Sequence, residues 1–119
     1  MISANDIMQV LCRKRFVLTN EKVLQGEIES ILKTEFPTCN IEREFHLDKD
    51  NIIDFVIDGH LGIEVKIKGS KRALYSQCVR YCDFDQIKSL LLITTLSIGF
   101  PAEINGKDCY VQNLSKAWL

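Results

Sequence analysis

A chain of 119 residues is one domain's worth, with length enough for a single core around one sheet. Hydrophobic residues at 46% and charged residues at 26% exclude a disordered chain, and a formal net charge of -1 argues against a basic, nonspecific nucleic-acid coat. No apolar run is long enough to span a bilayer, because the longest, around Leu90 to Ile93, is broken by Thr94, Thr95 and Ser97. The five cysteines are odd in number and the N-terminus does not read as a signal peptide, so reduced thiols in a cytoplasmic protein are expected, with no membrane partner. Local basic clusters remain at Arg13, Lys14 and Arg15, and at Lys66, Lys68, Lys71 and Arg72; each could meet phosphate or simply be solvated.

Taken in chain order, Ser3 to about Arg13 predicts a short helix opening at Ser3 or Asn5. A second helix is capped by Thr19 or Asn20, with Glu21 in the first turn, where the helix dipole favours a carboxylate. Val23, Leu24, Ile28, Ile31 and Leu32 recur at helical spacing until Pro37. Glu27 interrupts that apolar stripe, and a carboxylate on an inner face needs a partner or a metal. Glu29 points away and is expected in solvent.

Cys39 to Leu47 reads as a strand with Ile41, Arg43 and Phe45 on one side. Ile52 to Gly69 then reads as two strands flanking the turn Asp58-Gly59-His60. A three-residue turn pairs Ile57 with Leu61 and sets Asp54 opposite Glu64. Side chains alternate along a strand, so Asp54, Glu64, Lys66 and Lys68 are expected on one face. Ile53, Phe55, Ile57, Ile63, Val65 and Ile67 are expected on the other.

Lys71 to Tyr81 predicts a helix, and Ile87 to Thr95 a central strand. Cys78 and Cys82 would share one face of that helix, but two sulfurs alone do not make a metal site. Asn105-Gly106 predicts a hairpin turn, and Leu114 to Leu119 a short helix in which Trp118 anchors packing. His46 and His60 are expected at the surface, and Asp58 as a turn former. With no repeat or linker, residues 1–119 read as a single domain whose order of elements gives a mixed α/β sheet flanked by helices.

The chemistry-bearing groups are Glu27, Asp54, Glu64 and Lys66. Phosphodiester hydrolysis needs an activated water, charge compensation on the phosphate and help for the leaving oxygen, and one or two Mg²⁺ ions can serve all three. Magnesium prefers oxygen ligands, which Glu27, Asp54, Glu64 and the Val65 carbonyl could supply, with Mn²⁺ able to substitute. Lys66 would orient the water or steady the transition state.

Asp54 followed after nine residues by Glu64-Val65-Lys66 resembles the central motif of the PD-(D/E)XK nuclease superfamily, with Ile53 in place of its proline. Glu27 is similar to that family's upstream acidic residue, and Gln77-Cys-Val-Arg-Tyr81 to the Q-x-x-x-Y pattern of its RecB-type branch. The resemblance implies a restriction-endonuclease-like fold and metal-dependent cleavage of DNA. It further implies that Gln77 and Tyr81 lie beside the metal site and contact DNA or position the lysine. Lys68 is a further candidate for phosphate contact. The sequence leaves room for a homodimer, for a helicase or other protein partner, and for a non-catalytic DNA-binding or assembly module of the same fold.

Overall fold

Local capping sets where the helices begin. The computed structural model describes residues 1–116, so Trp118 and the end of the predicted C-terminal helix lie outside the described residues. Helix α1 spans Ala4–Leu11 and opens on a capping box, in which the Ser3 hydroxyl accepts from the Asp6 amide and the Asp6 carboxylate accepts from the Ser3 amide. Helix α2 spans Glu21–Glu35, and Asn20 is the residue that caps it, through the Val23 amide. Helix α3 spans Lys71–Tyr81 behind a Ser70 cap.

The strands are β1 (Ile41–His46), β2 (Ile52–Ile57), β3 (Leu61–Lys66), β4 (Ser89–Thr94), β5 (Glu103–Ile104) and β6 (Lys107–Asn113). They form one mixed sheet in the order β1-β2-β3-β4-β6-β5. β3, β4 and β6 run parallel, and the remaining neighbours are antiparallel. β4 lies inside the sheet, as its apolar sequence predicts, with Leu90 to Ile93 all fully buried. The tail that follows β4 folds back as a hairpin, with Asn105 and Gly106 both at positive φ in its turn.

Helices cover both faces. Leu24, Ile28 and Leu32 of α2 and Ile7 and Leu11 of α1 pack with Phe55, Ile57, Ile63 and Val65 on one side. Leu74, Cys78 and Tyr81 of α3 pack with Val56, Leu90 and Leu92 on the other. No described helix is long and apolar enough to cross a membrane.

Strict alternation fails at one place. Ile53 belongs to the α3 side, not to the side of Phe55 and Ile57. Its partner Phe45 also packs on the α3 side, while Ile41 packs on the α2 side. Both strands therefore turn over at the positions between, Glu44 and Asp54, which are missing from an otherwise constant register. Glu44 takes the left-handed backbone conformation (φ 49°), which accounts for the change of face. Gly62 accommodates the result: a Cβ there would lie 2.7 Å from Ile53 Cδ1.

Two surface expectations also change. Glu29 is not free in solvent; it pairs with Lys33 at 3.1 Å and with Arg43 at 3.2 Å. Arg43 also donates to the buried Gln25 at 3.0 Å and lies 5.6 Å from the Phe55 ring centroid, so it clasps β1 to α2. His60 is half-buried, with its Nε2 enclosed and without a hydrogen-bond partner among the described residues, because the tight turn tucks it beside β4, where its carbonyl accepts from Lys88.

Candidate active site

The predicted turn fixes the register of the β2–β3 hairpin. His60 closes the turn onto the Ile57 carbonyl, and Ile57 pairs with Leu61, Val56 with Gly62, and Phe55 with Ile63. The backbone ladder then stops. One step further, side chains take over: the Val65 amide donates to Asp54 Oδ2 at 2.8 Å, and the Asp54 amide donates to Glu64 Oε1 at 3.3 Å. The two strands part where the two carboxylates meet.

These carboxylates are poorly solvated. Glu64 is 5% exposed, and Asp54 is half-buried. Burial, and next the charge of Asp54, push the Glu64 carboxyl up to about 9. Asp54 is also raised, by burial first, against the lowering effect of the Val65 amide and with a further push from Glu21. Two acids forced together in this way hold a proton or a cation between them.

Lys66 continues the strand and lines two clefts. One cleft, of about 360 Å³, also includes Thr19, Asn20, Glu21, Lys22 and Lys68. The other, of similar volume, includes Ser70, Ala73, Gln77 and Arg80. Lys68 lies just past the end of β3, exposed beside Lys22 in the first cleft.

Gln77 and Tyr81 stand one helical turn apart on α3, as their spacing predicts, and they touch: Gln77 Nε2 donates to the Tyr81 hydroxyl at 2.7 Å. The Tyr81 hydroxyl donates to the Ile52 carbonyl at 2.8 Å. Burial and the nearby charge of Glu64 raise the Tyr81 phenol, so it stays protonated. At 1% exposure Tyr81 cannot meet a substrate. Of the pair expected to contact DNA or position the lysine, Gln77 lines a cleft, and the buried Tyr81 holds Gln77.

Glu21, in the first turn of α2, also reaches the end of β3: its Oε1 accepts from the Ile67 amide at 3.0 Å. Glu27 lies six residues on, about 9 Å along the helix axis. No hydrogen bond links it to Asp54, Glu64 or Lys66 among the described residues, and its Oε1 is enclosed without a partner. The first-turn acid was visible in the sequence, but there it fitted a dipole role alone.

No group of three or more His, Cys, Asp or Glu side chains forms a closed metal cage among the described residues. The donor set nevertheless fits magnesium, which is held by one or two carboxylates and keeps several waters. Asp54 and Glu64 are such a pair, and the Val65 carbonyl adjoins them in sequence. The cysteines do not join this site: Cys82 and Cys109 approach to 3.9 Å on the α3 side, and all five are free thiols. Comparison with known proteins finds no matching family model, no matching curated sequence and no matching solved structure.

Proposed function

We propose that the chain is a metal-dependent nuclease of the PD-(D/E)XK type, with a restriction-endonuclease-like fold, that hydrolyses phosphodiester bonds in DNA. One observation carries this reading: Asp54 and Glu64 meet at the point where β2 and β3 part, with Lys66 next on the same strand facing open clefts.

Asp54 and Glu64 would hold Mg²⁺ or Mn²⁺ through oxygen donors, with the Val65 carbonyl and Glu27, whose Oε1 is enclosed without a partner among the described residues, as the further donors of the set. When bound, the ion supplies a water of lowered pKa and a counter-charge for the phosphate. The chain supplies the rest. Lys66 brings a cation to the mouth of both clefts, where it offsets charge on the attacked phosphate. Gln77, fixed by Tyr81, keeps its carbonyl and second N–H for a water or a phosphate oxygen. The rim of Lys66, Lys68 and Arg80 gives a polyanion local attraction that the net charge of -1 conceals.

The test is cleavage of plasmid, linear duplex, single-stranded and branched DNA with Mg²⁺, Mn²⁺ or EDTA. Glu64→Ala and Lys66→Ala should each lose roughly 100-fold or more of a metal-dependent activity. No cutting by folded wild-type protein, or cutting that both variants retain, sinks the assignment. DNA binding without cutting would instead favour a non-catalytic module.

A further inference from the structure

We infer that the site cuts within a continuous strand, so that its substrate is an internal phosphodiester bond of DNA and not a strand terminus. This inference rests on the nuclease reading and adds a direction of passage to it. Two clefts share Lys66, one lined by the start of α2 and the other by α3, helices that cover opposite faces of the sheet. One passes between the start of α2 and the end of β3, past Lys22 and Lys68. The other passes along α3, past Ser70, Gln77 and Arg80. Both are open to solvent.

Cutting from an end requires something that recognises an end: a wall that stops the strand, or a closed pocket for a terminal phosphate. Neither cleft is closed by a described residue, and a cation lies in each. A phosphate held at Lys66 therefore has a basic side chain on either side of it: Lys68 in one cleft and, in the other, Arg80, whose Nε donates to Asn51 and whose remaining N–H groups are left for a phosphate; Lys22 is paired with Glu44 at 3.0 Å. A strand threading past Lys66 uses all of these contacts; a strand that ends at Lys66 forfeits half of them.

The experiment compares a closed circular single strand with the same sequence linearised and labelled at each end, using the full chain with Mg²⁺ or Mn²⁺. The circle should be cut within about threefold of the rate on the linear strand, and the first linear products should be internal fragments. Lys68→Ala and Arg80→Ala probe the two clefts separately. Each should raise KM for the circle several-fold, and each should reduce the slope of log KM against log salt by about 0.7, the value for one phosphate contact on a single strand. A merely structural role would lower thermal stability and leave that slope unchanged. Cutting of the linear strand alone, with nucleotides released from one end, overturns the inference and leaves the nuclease reading standing. An unchanged slope in either variant also overturns it, because the strand then does not pass through that cleft. Cutting of neither substrate overturns both.

Discussion

Glu64 carries the sharpest consequence at the scale of single residues. Its carboxyl ordinarily ionises near 4.5 and is raised to about 9 in the fold, by burial and then by Asp54. Between those values the folded state holds a proton that the unfolded state has released, so stability falls as pH rises through that window. The stabilisation is fully present below about 4.5 and lost as pH passes about 9. Metal-free protein should therefore melt at progressively lower temperature from about pH 5 to about pH 9. Glu64→Gln should flatten that slope, and millimolar Mg²⁺ should restore stability most at the alkaline end; thermal melts across pH with and without EDTA measure all three. Tyr81→Phe tests its hold on Gln77: kcat should drop about tenfold with KM little changed, and about 1 kcal/mol of stability should go with the bond to Ile52. Unchanged kcat would remove Tyr81 from the site. At this scale the meeting of Asp54 with Glu64 was legible from spacing alone. The contact of Glu21 with the Ile67 amide was not, because helix periodicity says which way a side chain points and not which strand end it will reach.

Alternation and capping made most elements legible, and their failures have local causes. The hairpin register followed from the Asp58-Gly59-His60 turn, and all three helices open on polar caps that the sequence displays. The faces of β1 and β2 were misread beyond Arg43 and Phe55, since period-2 reading assumes extended backbone throughout and Glu44 departs from it. A glutamate in the left-handed region carries no signature of the kind glycine or asparagine would give. That turnover brings Ile53 over Gly62, which yields a test in a double-mutant cycle. Gly62→Ala should cost about 1–3 kcal/mol by overpacking, and Ile53→Val, which deletes the contacting methyl, should recover part of that loss. Strictly additive melting free energies would contradict this packing. Arg43→Ala should cost about 1–2 kcal/mol, since it frees both Gln25 and Glu29 at the α2–β1 clasp.

For the molecule as a whole, one mixed sheet between two helical layers explains both what is hidden and what is reachable. Cys78 on α3, Cys82 at its end and Cys109 on β6 are buried between α3 and the sheet, Cys39 is half-buried and Cys12 is exposed. A thiol reagent should label Cys12 quickly, Cys39 slowly and the other three only on unfolding, and time-resolved mass spectrometry would read this directly. Fast labelling of Cys82 or Cys109 would show that α3 lifts off the sheet. The layer order was implied by the succession of helical and extended segments. The neighbours of β6 were not: a parallel strand arriving from the tail, by way of a two-residue β5, has no counterpart in local pattern. Nor does sequence reveal that the site opens on two sides, because clefts arise from the relative placement of helix starts and strand ends that are distant in the chain.

The parting of β2 and β3 also governs how the site can be studied by substitution. Asp54 is a hydrogen-bond acceptor of the sheet, standing in for the carbonyl that β2 no longer offers to Val65. Removing its side chain leaves a backbone donor stranded beside the core, a loss of about 1–3 kcal/mol before any chemistry is touched. An inactive Asp54→Ala protein would thus conflate a dead catalyst with a frayed hairpin. Lys66 has no such duty to the sheet, so the lysine is the position where loss of function can be read as loss of function.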